Sequence, residues 1–211
     1  KGVALEPLFE KAQMLTGMVD AFNITDSAAS RMTMAPIGVA HLLQDRGIET
    51  ILQITGRFRN WLALQSELLA AHALGIGNVL CMSGDPPGGG DHPDAKAVFD
   101  LDGMALLRAI KTMQLGTDIG GNELQGAPAF RSGAVANPGA PDLDVEIKRM
   151  EEKIEAGAAF FQTQAVYDPG TFETFISAAQ GFDVPVLAGI IVLKSANMAR
   201  YLNANLPGVV V

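Results

Sequence analysis

Asn78-Val79-Leu80-Cys81-Met82-Ser83-Gly84-Asp85 passes from an unbroken apolar run to a hydroxyl, a glycine and a carboxylate. A strand that is apolar on both faces, rather than alternating, belongs to a parallel sheet covered on both sides. Before it, Trp61 to Leu74 has a helical pattern closed by Gly75, and after it Gly103 to Leu115 is helical again. The unit is strand, loop, helix, and it recurs. Apolar runs at Val19 to Ile24, Thr50 to Thr55, Ser132 to Ala136, Phe160 to Thr163 and Val186 to Leu193 follow one another at about 26 to 31 residues, with one doubled interval. Further helical patterns cover Leu5 to Leu15, Pro36 to Asp45, Asp144 to Ala156, Thr171 to Ala179 and Ser195 to Leu202. Gly47 and Gly157 read as C-terminal caps like Gly75, and Asn60 and Asp168-Pro169 as helix starts.

The chain has 211 residues, 48% hydrophobic and 18% charged. That is below the roughly 25% charged content of ordinary domains, so a large buried core is expected and disorder is excluded. Two arrangements of such units stay open, a doubly wound sheet and a (β/α)8 barrel, the latter usually needing about 250 residues. The chain starts on a helix-like segment and closes on Leu206-Pro207-Gly208-Val209-Val210-Val211, which reads as a strand beginning. We therefore expect one domain over 1–211, lacking residues at both ends. The Gly/Pro-rich stretches 84–93 and 120–141 read as long loops. Fifteen basic against 23 acidic residues leave a charge of -8 without any Lys/Arg-rich stretch, which argues against nucleic acid and anionic membrane as partners. No apolar run nears the ~20 residues of a membrane span and Lys1-Gly2 begins no targeting segment, so a cytoplasmic location is expected. A single Cys81 makes neither a disulfide nor a zinc or redox pair.

In parallel β/α folds ligands bind at the carboxyl ends of the strands, so the polar residues ending each run are the candidates. They are Thr25 and Asp26, Gln53 and Thr55, Ser83 with Gly84 and Asp85, Asn137, Gln162 and Gln164, and Lys194. One carboxylate, several amides and hydroxyls and almost no base suit a weakly charged heterocycle better than a sugar phosphate. Asp85, beside a glycine that admits a ligand to the backbone, can accept hydrogen bonds from ring N–H groups; its bland reading is a turn cap. Gln162 and Gln164, two apart, would share a face of a strand, and the ligand role is assigned to Gln164, nearer the strand's end. Arg57 and Arg59 precede a helix start, where an anion would be welcome, with surface ion pairing the expected role of at least one. Asp91-His92-Pro93-Asp94 reads as a solvated turn, no metal site is expected, and His41 and His72 read as packing or surface residues. No Gly-x-Ser-x-Gly elbow or P-loop occurs, and the nine methionines read as core filler.

Four stretches in order, Asp20-Ala21-Phe22-Asn23-Ile24-Thr25-Asp26, Gly56-Arg57-Phe58-Arg59-Asn60, Ser83-Gly84-Asp85-Pro86-Pro87 and Phe160-Phe161-Gln162-Thr163-Gln164-Ala165-Val166-Tyr167-Asp168, resemble the methylenetetrahydrofolate reductase family. The likeness is strongest to the branch fused to homocysteine methyltransferase domains, and it covers essentially the whole chain. It implies a (β/α)8 barrel holding FAD at its strand ends. The implied reaction uses NADH or NADPH to reduce methylenetetrahydrofolate to methyltetrahydrofolate, in one-carbon metabolism and methionine biosynthesis. By position, Asp85 would lie near the flavin ring and contact the pterin, its fixed negative charge favouring hydride donation. Gln164 would bond the pterin, and Thr25, Met82, Gly84 and Lys153 would contact FAD.

This chain carries Gln53, Ser83, Asn137 and Glu146 where well-known bacterial members carry His, Arg, Tyr and Asp, and the first three are included among the flavin positions. The family's glutamate general acid is expected upstream of Lys1, since Glu6 and Glu10 lie on the following helix. Expected partners are a small-molecule folate together with a second copy of the chain or a methyl-transfer protein. Three alternatives stand beside the reductase. One is a folate- or partner-binding subunit of a methyl-transfer complex, one a flavin-free NADH-dependent reductase, and one an aldolase relying on Lys194 as its Schiff-base lysine.

Overall fold

The computed structural model describes residues 2–205 and 209–211, so the first half of the strand expected at the C-terminus lies outside the described residues. Two compact units divide the chain, Lys1–Ser132 and Gly133–Val211. The first runs α1 (Glu6–Leu15), β1 (Phe22–Ile24), α2 (Pro36–Gln44), β2 (Thr50–Thr55), α3 (Trp61–Ala73), β3 (Asn78–Met82) and α4 (Gly103–Gln114). The second holds most of β4 (Arg131–Ala136), then α5 (Leu143–Glu155), β5 (Phe160–Ala165), α6 (Pro169–Ala179), β6 (Val186–Gly189) and α7 (Ala196–Asn205). Strands are parallel and add in chain order within each unit, β1-β2-β3 and β4-β5-β6. Neither unit shows the reversal of order that marks a doubly wound sheet. The fold is therefore α/β of the (β/α)8 barrel type, with six of that barrel's strands among the described residues.

Local chemistry sets the element ends. Asn60, Asp102, Asp142 and Asp168 each turn a side-chain oxygen to a free N–H of the first turn, Asn60 accepting from Ala63 at 2.9 Å and Asp102 from Ala105 at 2.7 Å. Gly75 and Gly157 end their helices at φ 82° and 115°, a region costly for any residue with a Cβ.

In the first unit, register pairs Gln53 with Leu80 and Thr55 with Met82, which puts Ile51, Gln53, Leu80 and Met82 on one face. The opposite face, Leu52, Ile54, Val79 and Cys81, is at most 3% exposed and packs under α2 and α4. In the second unit Ala134, Ala136, Phe161 and Thr163 form the equivalent buried layer. On its other face Gly133 leaves room for Phe160, whose ring carbons lie as near as 2.2 Å to where a Cβ would stand.

Three expectations change. β1 begins at Phe22 rather than Val19, because Val19 instead forms an isolated bridge with Thr16. β6 stops at Gly189, whose carbonyl accepts from Val166; Ile190 to Leu193 continue the apolar run without a ladder and are exposed. The methionines divide, with Met113 and Met150 in the core and Met14 and Met18 at 75% and 76% exposed.

Candidate functional site

At the carboxyl ends of β1 to β3 the first unit separates into committed and uncommitted groups. Asp26 is buried, and its carboxylate accepts from the Thr55 N–H at 3.0 Å, the Thr55 hydroxyl at 2.7 Å and Arg59 Nη1 at 2.7 Å. Arg59 also bridges to Glu67 through Nε. Burial opposes the Arg59 charge, but the hydrogen bond and charge of Asp26, with that of Glu67, outweigh it and raise its pKa. For Glu67 burial dominates over the attraction of Arg59, and its carboxyl titrates above the ordinary range.

Arg57 is 1% exposed and acts as a knot between loops. Its Nη2 donates to the carbonyls of Asp26 at 2.7 Å and Ser27 at 2.8 Å, and its Nη1 to Ser30 Oγ at 3.1 Å and the Asp85 carbonyl at 3.2 Å. The Ser30 hydroxyl in turn lies 3.1 Å and 3.0 Å from the carbonyls of Asp85 and Pro86. The turn it holds is strained, since Ser27, Ala29 and Ser30 all have φ near +50°. Neither arginine is open to an anion; the ion pairing expected of at least one of them is made by Arg59, but with Asp26 and Glu67 below the surface, while Arg57 serves internal acceptors. The Arg-x-Arg spacing was visible, but most of their acceptors lie about thirty residues upstream in the loop after β1, with Glu67 and the Asp85 carbonyl downstream.

Asp85 is exposed, and the turn that follows it is capped by no side chain, so the capping alternative fails. Its carboxylate makes no hydrogen bond or ion pair with the described residues, while its carbonyl is pinned by Arg57 and Ser30. Gly84, at φ +89°, sits so close to the β2 end that a Cβ would lie 3.1 Å from Thr55 Cβ. Thr25 follows Ile24 and Gln53 follows Leu52, and those two are ladder partners. Thr25 is exposed and Gln53 half-buried, and both side chains lack partners among the described residues. Ser83 is committed, its hydroxyl accepting from the Gly103 N–H at 3.1 Å.

In the second unit, a register shift between Gln162 and Ala165 breaks the alternation expected of the two glutamines. Thr163 Oγ1 closes this bulge, accepting from Gly189 N–H and donating to the Gln164 carbonyl, both at 2.8 Å. Gln164 is left exposed, and Gln162 half-buried with an unpartnered Oε1. Asn137 Oδ1 accepts from Gly139, and its N–H donates to the buried Glu146 at 3.0 Å. Lys153 donates to the Val135 carbonyl at 2.7 Å; burial, partly countered by Glu146, lowers its pKa. A cavity of about 280 Å³ opens between the loops after β4 and β5, lined by Pro138, Gly139, Val166 and Tyr167 among others. His72 packs edge-on against Phe130, and His92 lies 2.9 Å from Asp91 in an exposed turn.

The sequence profile of methylenetetrahydrofolate reductase matches residues 2–210. The chain belongs to the methylenetetrahydrofolate reductase family. Within that family it is 27% identical over 222 aligned positions to methylenetetrahydrofolate reductase 2 of Schizosaccharomyces pombe, covering 97% of this chain and 34% of that protein. It is 24% identical to the probable NADPH enzyme of Caenorhabditis elegans, covering 88% of this chain and 27% of that one. The corresponding values for the NADH enzyme 1 of Zea mays are 25%, 90% and 33%. The chain thus spans about a third of the length of these reductases. Among solved structures, 2,3-dimethylmalate lyase of the PEP mutase/isocitrate lyase superfamily superposes with a TM-score of 0.56 at 13% identity. That superposition covers 90% of this chain and 68% of the lyase, and it is a likeness of fold.

Family membership bears on whether these residues suit a flavin. The uncommitted Thr25 hydroxyl, Gln53 amide and Asp85 carboxylate, with half-buried Met82 on the Gln53 face, are donors, acceptors and an apolar surface of the kind a heterocyclic ring needs. Their chemistry suits the ring end of a flavin.

Proposed function

We propose that the protein reduces methylenetetrahydrofolate to methyltetrahydrofolate with NADH or NADPH, through FAD held at the strand ends. The observation that carries this is the Asp85 carboxylate, fixed through its own carbonyl and left free of protein partners at the end of β3. Bound FAD would relay a hydride from nicotinamide to the folate. In the first unit Thr25, Gln53, Met82, Ser83, Gly84 and Asp85 would contact FAD; in the second, Asn137 and Lys153 are the candidate FAD contacts, the lysine suited to the ribose or phosphate region. Asp85 would also accept from pterin N–H groups, and in the second unit the exposed Gln164 amide is the candidate pterin contact. The fold reads best as one barrel domain of a one-carbon enzyme.

A visible absorption spectrum of the intact protein tests this directly. Flavin bands that bleach on adding reduced nicotinamide are expected; a folded, colourless protein that takes up no FAD refutes the flavin. The flavin-free and binding-subunit readings gain from one observation, that Arg57, Arg59 and Lys153 spend donors on groups of the chain itself. Replacing Gln164 by Ala should leave pterin groups unpaired and weaken folate affinity about tenfold to a hundredfold, with flavin reduction nearly unchanged. Isothermal titration with methyltetrahydrofolate and stopped-flow absorbance measure the two effects.

A further inference from the structure

Gln162 lies in the middle of the β5 ladder, paired with Val135 of β4 on one side and Leu187 of β6 on the other. Ladder partners present their side chains on one face, so its amide stands between two aliphatic side chains. Two residues toward the strand's start, on that same face, the Phe160 ring lies over Gly133 and closes the layer from below. None of these neighbours has a polar side-chain atom. Accordingly the Oε1 of Gln162 is sealed from solvent with no hydrogen-bond partner, while the amide nitrogen is not sealed. A half-turn about the last side-chain torsion exchanges the two ends, yet whichever end turns inward stays unpaired. An amide in this row therefore destabilises the ligand-free protein, where a leucine would fill the space without that penalty.

We propose that Gln162 is a ligand-contacting, specificity-determining residue, hydrogen-bonding the edge of the heterocycle bound at the strand ends, one level below the bulge that carries Gln164. The proposal rests on the flavin and folate reading above. Pterin and flavin rings both carry alternating N–H and C=O groups along an edge, and an amide free to exchange its ends matches either kind of group.

The test compares wild-type, Gln162→Met and Gln162→Asn forms of the intact protein by thermal melting without ligand and by titration with FAD and with methyltetrahydrofolate. Methionine keeps the length and removes the orphan, so its melting temperature should rise by about 2–4 °C while affinity for at least one of the two ligands falls roughly tenfold. Asparagine keeps the amide but withdraws it by a methylene, so the same affinity should fall without the gain in melting temperature. Wild-type binding of both ligands, with undiminished binding by either variant, overturns this proposal and leaves the functional reading standing. Wild-type protein that binds neither ligand overturns both.

Discussion

Replacing Arg57 by Met is expected to destabilise the protein by about 3 kcal/mol and to free the segments around 26–30 and 85–90 together. The side chain is fully buried and its two terminal nitrogens serve four acceptors: three backbone carbonyls and the Ser30 hydroxyl. Methionine fills much of the volume but satisfies none of them, and each buried acceptor left unpaired costs roughly 1–3 kcal/mol. Part of the loss is offset, because the strained turn at Ser27, Ala29 and Ser30 can then relax, releasing about half of a cost of the order of 1–3 kcal/mol per residue. Lysine should recover little, having no planar fork to reach acceptors on two loops. Urea denaturation gives the global effect, and hydrogen exchange the local one. Faster exchange confined to the 26–30 turn, with 85–90 unchanged, would show that Arg57 does not tie the loops together.

Asp85→Asn should slow reduction of the folate roughly a hundredfold, about 2.7 kcal/mol of transition-state stabilisation, while flavin reduction by nicotinamide changes far less. The substitution preserves shape and removes charge. The Asp85 carbonyl, which receives Arg57 and Ser30, is untouched, so the loop should keep its place. What is lost is a fixed negative charge beside the groups exchanging a hydride, where charge of opposite sign is favoured on the folate side. Stopped-flow traces of the two half-reactions separate these effects, and equal slowing of both would contradict the role given to Asp85.

The strand runs and helix caps were legible because they depend on neighbours in sequence. Asn60 and Asp168 cap their helices from within three residues, and β2 and β3 have the limits their apolar runs suggested. Residues whose meaning depends on distant partners were not. Arg57 looked like a surface cation because nothing near it in the chain announces the carbonyls of Asp26 and Ser27. The bulge at Thr163 was equally hidden, since the hydroxyl that closes it meets Gly189, in the next strand. A strict alternation therefore placed Gln162 and Gln164 in one layer. For the same reason Ile190 to Leu193 read as strand: the composition is right, and only the absence of a ladder beyond Gly189 ends it.

Cys81 lies in the same strand as the turn that presents Asp85, 3% exposed, and burial pushes its thiol up to about 12. At neutral pH the thiolate, the form that reacts, is therefore scarce in the closed β3 layer, and alkylation of the native protein should be slow. Since it is the chain's one cysteine, each alkylation event reports an opening of the β3 layer. The chain thus contains its own clock for local unfolding, placed four residues from the carboxylate on which the proposed chemistry depends.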